Sequence, residues 1–202
     1  NHNVRQLIDN DYLILPPINP GTVDQIKHIA ETNLLMDPWN PKIGYFLKKD
    51  RPPGLSVAKL LNPAEFREIQ LLASKIETLK LSASYFGCKS VIDSVDVWWS
   101  FPSDRDPFQA ENFHRDKDSS EFLKWFVYLT DVNEFSGPHE LALGTLNSGK
   151  FTEGLRYKDY QIYNKFKTKK FFGNRGTNFI ENTYGLHRGY KPTKGERLVF
   201  QV

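Results

Sequence analysis

The sequence predicts an α+β fold, in which N-terminal helices buttress one sheet of a double-stranded β-helix (jelly roll). Apolar side chains recur at helical spacing up to about residue 89, whereas from Ser90 onwards they alternate with polar side chains. Two histidines and an aspartate are suited to one shared site, but the second histidine lies 187 − 116 = 71 residues beyond the aspartate, and a jelly roll readily brings such remote strands together. We therefore expect a single domain over residues 1–202, with a helical part at about 1–89 and a jelly-roll core at about 90–202.

Two helices are predicted in the N-terminal part. The first runs from about residue 22 to about residue 35, with Thr22 as its N-cap. The second begins at Asn62, an N-cap followed by Pro63 at the first helical position and by Glu65 three residues after the cap. Its apolar stripe, which we expect to pack against a sheet, consists of Phe66, Ile69, Leu72, Ala73, Ile76 and Leu79.

A long irregular connection is predicted between the two helices. It is rich in residues that interrupt regular structure, namely Pro38, Pro41, Pro52, Pro53, Gly44 and Gly54. Two interpretations are equally compatible with this composition: a lid or substrate loop, and an ordered surface loop.

Period-two alternation predicts strands at 91–100 and 122–130, and a last strand at 198–202. Adjacent residues on a strand project to opposite faces of a sheet. Of the neighbours Trp98 and Trp99, one should therefore lie in the core while the other lines a substrate cavity.

Composition limits the classes of function. The formal net charge of +3 is too small to indicate nucleic-acid binding. The single cysteine, Cys88, excludes an intramolecular disulfide framework, and no Cys/His cluster indicates structural zinc. We find no apolar run near the roughly 20 residues of a membrane helix and no secretory signal, so we expect a cytoplasmic protein without a membrane span. The sequence carries no signal for a particular oligomeric state.

One local segment, between Lys150 and Arg175, mixes basic and aromatic side chains. Charge and stacking there are compatible with a phosphate-bearing or nucleotide-like substrate handle. The usual behaviour of charge runs favours the other interpretation, a solvated face whose aromatic side chains pack inward. The residues concerned are Arg156, Lys158, Lys165, Lys167, Lys169 and Lys170, with Tyr157, Tyr160, Tyr163, Phe166, Phe171 and Phe172.

The candidate metal ligands are His114, Asp116 and His187. Residues two apart on an extended strand share a face, so His114 and Asp116 project together while Arg115 points elsewhere. Two imidazoles and one carboxylate can occupy one face of an octahedral Fe(II) ion and leave the opposite face open for a co-substrate and oxygen. After the following turn, Arg197 is suited to bind a carboxylate through two parallel hydrogen bonds.

Four ordered segments together resemble the phytanoyl-CoA dioxygenase family of Fe(II)- and 2-oxoglutarate-dependent oxygenases. They lie at 112–118, 122–133, 137–139 and 185–189, and the resemblance covers about the C-terminal half of the chain, from Trp98. Carried over residue by residue, it implies that His114, Asp116 and His187 ligate Fe(II). It also implies that Arg197 binds the distal carboxylate of 2-oxoglutarate.

The activity implied by this resemblance is an oxidation that consumes O2 and 2-oxoglutarate. An unactivated carbon of a small-molecule substrate would be hydroxylated, with release of succinate and CO2. Asp116 favours hydroxylation, because halogenating relatives carry a small residue at the position of the carboxylate. Desaturation and ring formation remain open, since they depend on where the substrate lies.

Four further positions carry expectations of their own. Gly189 departs from many relatives, which have a hydroxyl residue there, and this leaves one co-substrate contact unassigned. Tyr128, on a predicted strand, is a candidate co-substrate contact. His139 follows Gly-Pro and is expected to be a turn residue rather than a fourth ligand. Arg188 should lie on the strand face opposite His187.

Two other functions are compatible with parts of this pattern. A non-catalytic jelly-roll module that binds a metal or ligand would not require Arg197. A cupin-like isomerase or hydrolase using zinc or manganese would usually present more histidines around the metal, and this chain has five in total. The joint presence of the triad and Arg197 favours the oxygenase.

Overall fold

Two antiparallel sheets form the framework of the protein. The computed structural model describes residues 2–117, 121–151 and 155–202. Within these ranges the larger sheet has eight strands in the order β1-β9-β6-β11-β5-β4-β2-β3, and the smaller has three in the order β10-β7-β8. The strands are β1 (Tyr12–Leu15), β2 (Leu35–Met36), β3 (Tyr45–Phe46), β4 (Val57–Leu60), β5 (Asp96–Ser100), β6 (Lys124–Tyr128), β7 (His139–Ala142), β8 (Thr168–Phe171), β9 (Asn178–Glu181), β10 (His187–Gly189) and β11 (Arg197–Gln201). The α-helices are α1 (His2–Asn10), α2 (Pro20–Thr32), α3 (Arg67–Ala73), α4 (Ile76–Phe86) and α5 (Asp159–Tyr163).

The larger sheet is covered by helices on one face and by the smaller sheet on the other. Strand β6 illustrates the division, because Trp125 and Val127 belong to the cluster that packs under the helices. The alternate residues Phe126 and Tyr128 pack instead with Leu141 and other side chains of the smaller sheet. The predicted α+β jelly roll with buttressing helices is confirmed, and so is the period-two alternation of its central strands.

Helix α2 starts earlier than its sequence predicted. Its N-cap is Asn19, whose side-chain oxygen accepts a hydrogen bond from the backbone N–H of Gly21 at 2.8 Å. Pro20 then occupies the first turn, where its missing N–H costs nothing. The prediction of Thr22 as the cap is therefore wrong, because Asn19 and Pro20 are the stronger start signal. No helix in the described ranges has the length and apolar character needed to cross a membrane.

The helix predicted from Asn62 is broken into three pieces. A single 3₁₀ turn, Pro63–Glu65, comes first, followed by α3 and α4. Asn62 has a left-handed backbone (φ 48°) and makes no cap hydrogen bond, so its predicted capping role is wrong. Phe66 is extended (ψ 124°), which interrupts the helical path, and the Ser74 hydroxyl bonds the Gln70 carbonyl at the end of α3. Because of these breaks Ile76, a member of the predicted stripe, is exposed to solvent.

Four strands lie in the part of the chain that was predicted to be helical. Strand β1 pairs with β9, while β4, β2 and β3 extend the sheet beyond β5. Each has only two to four residues. Such short segments show no readable alternation, and they are extended because distant strands pair with them. The sheet therefore crosses the predicted boundary near residue 89.

The segment before β5 is the converse case. Alternation predicted a strand from residue 91, but regular pairing starts only at Asp96. Val91 is 82% exposed, so this end of the pattern does not pack against the core as Val95 does. Trp99 is fully buried under the helices and Trp98 lines a cavity, as the opposite directions of neighbouring side chains predicted.

The connection at 38–54 is ordered around short elements. It contains two 3₁₀ helices, Pro41–Ile43 and Lys48–Asp50, together with β3. At its start the buried carboxylate of Asp37 accepts hydrogen bonds from the backbone N–H groups of Trp39 (2.8 Å) and Asn40 (3.1 Å). This turn holds Trp39 at the wall of the same cavity as Trp98, so the loop contributes to a candidate substrate site.

Gly137 tests how closely the turn before β7 is packed. Its backbone is left-handed (φ +79°), and an added Cβ would overlap the Tyr190 carbonyl oxygen and lie 2.8 Å from Pro192 Cδ. We expect Gly137→Ala to lower the free energy of unfolding by about 3 kcal/mol or more, since backbone strain and overpacking add. Urea unfolding with a constant m value measures this loss.

The matched control for that substitution is Gly144→Ala. Gly144 has a similar φ of +71° but nothing within 4 Å of an added Cβ. Only the conformational cost of about 1 kcal/mol is expected there. Equal losses in the two variants would contradict the packing argument.

Candidate metal centre

A short backbone pairing brings the candidate ligands together. His114 donates its N–H to the carbonyl of His187 at 2.9 Å, and His187 returns an N–H bond to the His114 carbonyl at 3.0 Å. The Asp116 N–H continues the contact by donating to the Thr183 carbonyl at 3.0 Å. His114 and Asp116 thus lie on extended chain, as predicted, although outside the regular strands, and His187 is the first residue of β10.

The side chains of His114, Asp116 and His187 converge on one point. One ligand atom from each lies within 4.8 Å of the other two. Asp116 Oδ1 is 3.5 Å from His114 Nε2, and Asp116 Oδ2 is 3.4 Å from His187 Nε2. The two imidazole centroids are 4.3 Å apart. Two nitrogens and one carboxylate oxygen can therefore face a single metal ion.

The backbone fixes the tautomer of both histidines. His114 Nδ1 lies 2.9 Å from the Asn112 carbonyl oxygen, and His187 Nδ1 lies 3.0 Å from the Gly185 carbonyl oxygen. A carbonyl can only accept, so each Nδ1 must carry the hydrogen and each Nε2 keeps a lone pair when the ring is neutral. This orientation by a backbone carbonyl is typical of metal-ligating histidines.

The three ligands also set one another's charge. Burial and the neighbouring His187 lower the pKa of His114 to about 4. Burial opposes ionisation of Asp116, but His187, His114 and Lys124 outweigh it and hold the pKa of this carboxyl well below its usual range. Burial likewise opposes protonation of His187, yet Asp116 outweighs it and raises the pKa of His187. A divalent ion would replace the proton that His187 shares with Asp116.

Lys124 is a neighbour of the site that the sequence analysis missed. Its Nζ lies 2.7 Å from Asp116 Oδ2, and its side chain lines the cavity. The alternation of β6 could have revealed it, because Lys124 shares a face with Phe126 and Tyr128. An ammonium in this position holds the carboxylate in one orientation.

The residues next to the ligands point away from the cavity, as predicted for Arg115 and Arg188. Arg115 is buried and donates to backbone carbonyls, including those of Phe151 at 2.9 Å and Thr145 at 2.7 Å. Arg188 is buried as well, and its Nε donates to Glu140 Oε2 at 2.8 Å. Both guanidiniums therefore anchor the ligand segments from behind.

Arg197 lies at a buried end of the same cavity. Its Nη2 donates to Ser100 Oγ at 2.9 Å and its Nη1 donates to the Gly137 carbonyl, while its Nε is buried without a partner among the described residues. No carboxylate in the described part of the chain forms an ion pair with it. Burial lowers the pKa of Arg197, which marks a cation held without full compensation.

The guanidinium of Arg197 occupies space that a side chain at position 189 would fill, and Gly189 has none. A Cβ at this position would lie 2.5 Å from Arg197 Nη2, closer than real side chains approach. A larger residue at this position would therefore require the guanidinium to move from its present place. Ser100, on β5 of the larger sheet, accepts a hydrogen bond from the same guanidinium. The sequence did not single out this residue.

Tyr128 lines the cavity with its hydroxyl already engaged. The phenol donates to the Phe171 carbonyl at 2.9 Å and accepts from the His139 N–H at 3.0 Å. Burial raises its pKa far above the ordinary value. Because its hydrogen is already donated, Tyr128 ties the two sheets together at the site, and its contact with a co-substrate stays a prediction.

His139 is a buried strand residue rather than a turn residue. The turn ends at Pro138, and β7 begins at His139 itself, so that prediction is wrong. Its Nε2 lies 2.7 Å from Glu181 Oε1, and its ring stacks on that of His187 at 5.5 Å. It is not part of the group of three ligands found in the described residues. Glu181, fully buried, is a second neighbour that the sequence analysis missed.

One cavity of about 220 Å³ joins the triad to Arg197. Its wall combines polar residues of both sheets with the aromatic side chains Trp39 and Trp98. Arg156, from the basic and aromatic segment, also lines it. Other members of that segment differ: Tyr157 and Phe171 are buried, whereas Tyr160 and Phe172 are exposed. Residues 152–154 of the segment lie outside the described ranges.

Comparisons with solved structures identify the fold. The non-heme alpha ketoglutarate dependent carbocyclase SnoK from nogalamycin biosynthesis superposes with a TM-score of 0.71 at 15% identity, over 100% of this chain and 82% of that one. HygX from Streptomyces hygroscopicus, with nickel and 2-oxoglutarate bound, gives 0.66 at 15% identity over 100% and 85%. The epimerase SnoN, in complex with Fe3+, alpha ketoglutarate and nogalamycin RO, gives 0.66 at 15% over 99% and 80%.

At these identities the likeness establishes a shared jelly-roll fold. Comparisons with protein-family models and with curated proteins found no match.

Metal binding can be tested with Co(II) as a spectroscopic substitute. We expect metal-free wild type to bind Co(II) with a visible absorption spectrum, and His114→Ala and His187→Ala to lose most of the affinity, because each removes one of three ligands. His28→Ala is the matched control, since His28 is exposed on α2 and distant from the triad in sequence. Equal binding by His114→Ala and wild type would exclude the triad as the site.

Proposed function

We propose that the protein is an Fe(II)- and 2-oxoglutarate-dependent oxygenase of the phytanoyl-CoA dioxygenase type. In this proposal His114, Asp116 and His187 hold Fe(II), and Arg197 binds the distal carboxylate of 2-oxoglutarate. The reaction we propose is hydroxylation of an unactivated carbon in a small-molecule substrate, with O2 consumed and succinate and CO2 released.

The observation that carries this proposal is that the guanidinium of Arg197 has no carboxylate partner among the described residues. It is buried, it retains an Nε–H without a partner among the described residues, and it lines the same cavity as the three ligand atoms. A buried cation of this kind needs an anion that the described chain does not provide. A dicarboxylate that reaches both the metal and Arg197 meets that need.

The residues fit this cofactor and co-substrate. When bound, Fe(II) and 2-oxoglutarate would supply the oxidising chemistry with O2. The chain itself fixes both Nε2 ligands through backbone carbonyls, and Lys124 orients the Asp116 carboxylate. The burial of the histidines and of Arg197 limits their contact with bulk water. HygX and SnoN, which share the fold, were crystallised with a metal and 2-oxoglutarate, and this supports the same pairing here.

Ser100 is the second contact that we assign to the distal carboxylate. Its Oγ accepts a hydrogen bond from Arg197 Nη2, so its own hydrogen remains available for donation. Ser100 is buried and lines the cavity. It therefore replaces, from β5, the hydroxyl that relatives place at the position of Gly189.

A non-catalytic binding module is the weaker candidate. Such a module has no use for a buried arginine without a carboxylate partner beside three ligand atoms, since such an arginine costs stability unless an anion binds.

The outcome of the oxidation is a separate question, since SnoK is a carbocyclase and SnoN an epimerase. Mass spectrometry of the product distinguishes hydroxylation, which adds an oxygen atom, from ring closure and epimerisation.

The co-substrate site can be tested before any substrate is known. Under oxygen-free conditions we expect wild type with Fe(II) and 2-oxoglutarate to develop the visible charge-transfer band of a metal-chelated 2-oxo acid. His114→Ala should not form the band. Arg197→Ala should need about a hundredfold more 2-oxoglutarate, because truncating a buried charge pair costs about 2–5 kcal/mol.

Pyruvate is the matched control ligand, since it retains the chelating 2-oxo acid and lacks the distal carboxylate. Its affinity should be weak in wild type and similar in Arg197→Ala. A well-folded wild type that forms no band would contradict the oxygenase proposal and favour the binding module.

The role of Ser100 is tested with Ser100→Ala. We expect the 2-oxoglutarate concentration at half-maximal band intensity to rise about tenfold, since a hydrogen bond to a charged group contributes about 1.5–3 kcal/mol. Ser100→Thr, which keeps the hydroxyl, should bind more tightly than Ser100→Ala. If Ser100→Ala binds like wild type, the hydroxyl makes no contact with the carboxylate.

A further inference from the structure

We propose that the substrate is an anion, a small molecule with a carboxylate or phosphate group beside a flat ring face, and that Arg156 binds this group. The proposal rests on the oxygenase function above and names the class of substrate for the same cavity. It assigns Arg156 to recognition of the substrate, while Arg197 serves the co-substrate.

Arg156 stands at the opening of the cavity close to the triad. Its side chain lines the cavity, and its charge interacts with that of Asp116. Its recorded hydrogen bond is a long one, 3.5 Å from Nη2 to Gln109 Oε1, and no carboxylate of the described residues forms an ion pair with it. Gln109 has a left-handed backbone (φ 48°), a strain that is common at functional sites. The guanidinium thus lies near the triad and has no direct carboxylate partner among the described residues.

The other charges around the cavity are matched in pairs. Lys124 contacts Asp116 Oδ2 at 2.7 Å, and Glu111, buried in the wall, receives Arg105 Nη2 at 3.0 Å. Arg197 is assigned to the distal carboxylate of 2-oxoglutarate, and the divalent metal to its other carboxylate. One unit of the metal's charge and the charge of Arg156 then exceed the negative charges of the loaded cavity, and this positive excess favours an anionic substrate over a neutral or cationic one.

An aromatic cluster, in which Trp39 and Trp98 line the cavity, completes the proposed subsite. Trp39 lies 6.0 Å from Trp98 and 5.9 Å from Phe108, measured between ring centroids. Rings of this kind bind the flat faces of other rings and of sugars by stacking. The Trp98 indole N–H is buried without a partner in the described part of the chain, so a substrate with a hydrogen-bond acceptor would satisfy it. Arg156 and this cluster together define a substrate with one charged and one flat side.

Tryptophan fluorescence provides the test, because Trp39 and Trp98 line the cavity. Oxygen-free protein loaded with Fe(II) and 2-oxoglutarate is titrated with matched probes on two scaffolds. On the phenyl scaffold the anions are phenylacetate and phenyl phosphate, and the neutral counterpart is phenylacetamide. On the sugar scaffold the anions are glucuronate and glucose phosphate, and the neutral counterpart is glucose. We expect at least one anion to bind about tenfold or more tightly than its neutral counterpart, with affinity falling as salt is added.

Arg156→Gln should remove this preference, and Arg156→Lys should retain part of it. Lys167→Gln is the matched control, because Lys167 belongs to the same basic segment and is exposed outside the cavity wall. It should leave the preference within about twofold of wild type. Tighter binding of the carboxylate or of the phosphate identifies which anion the site prefers.

Two results would overturn the proposal: no anion binds in preference to its neutral counterpart in wild type, or the preference survives in Arg156→Gln. The wild-type comparison decides the matter even if a variant fails to fold. The charge-transfer band separates this inference from the function on which it rests. A missing band in wild type refutes the oxygenase, whereas a normal band without a preference for anions refutes only the role of Arg156.

Discussion

The paired backbone hydrogen bonds between His114 and His187 are the constraint on which the site depends. They join two segments that are remote in sequence, and they decide which side chains face the cavity. A slip of one residue in this pairing would turn Arg115 inward and His114 outward, because neighbouring residues project to opposite sides. The geometry of the triad therefore depends on a long-range pairing between the segment that carries His114 and Asp116 and the segment that leads into β10.

The hydrophobic core fixes the direction of the buried arginine at the other end of the cavity. On β11, Leu198 and Phe200 pack under the helices, whereas Arg197 and Val199 face the smaller sheet. Reversing the strand would expose two large apolar side chains, each of which stabilises the fold by roughly 1.5–3 kcal/mol when buried. This gain offsets the cost of holding a guanidinium without a carboxylate. The same alternation that builds the core thus directs Arg197 into the cavity.

The sequence predicted best where a regular pattern coincided with a face that packs in the structure, whereas the alternation at 91–95 and the cap pattern at Asn62 gave wrong elements. Spacing on extended chain and a following turn have direct geometric meaning, so they predicted the candidate triad and Arg197, whose side chains the structure brings to one cavity; simple alternation placed Trp98. Arg156 and Ser100 could not be ranked in this way. Arg156 follows an irregular segment, and Ser100 gains meaning only because Gly189 admits the guanidinium from a strand far along the chain. The strands β1 to β4 were missed for a related reason: they are too short to show a period and are extended only because distant partners pair with them. The break at Phe66 is likewise a tertiary effect, and helix propensity did not predict it.

The arginines beside the ligands explain how the site keeps its shape before metal binds. Arg115 gathers backbone carbonyls of the segment around 145–151, and Arg188 joins Glu140 and Asp159 behind β10. These interactions lie on the face away from the cavity, so they do not compete with the metal or the co-substrate. They hold Arg115 and Arg188 in place, and the backbone of the neighbouring candidate ligands is held with them. Anchoring thus lies on the face of these short segments that is directed away from the cavity, so a change in the cavity wall at Trp39 leaves the contacts of Arg115 and Arg188 in place.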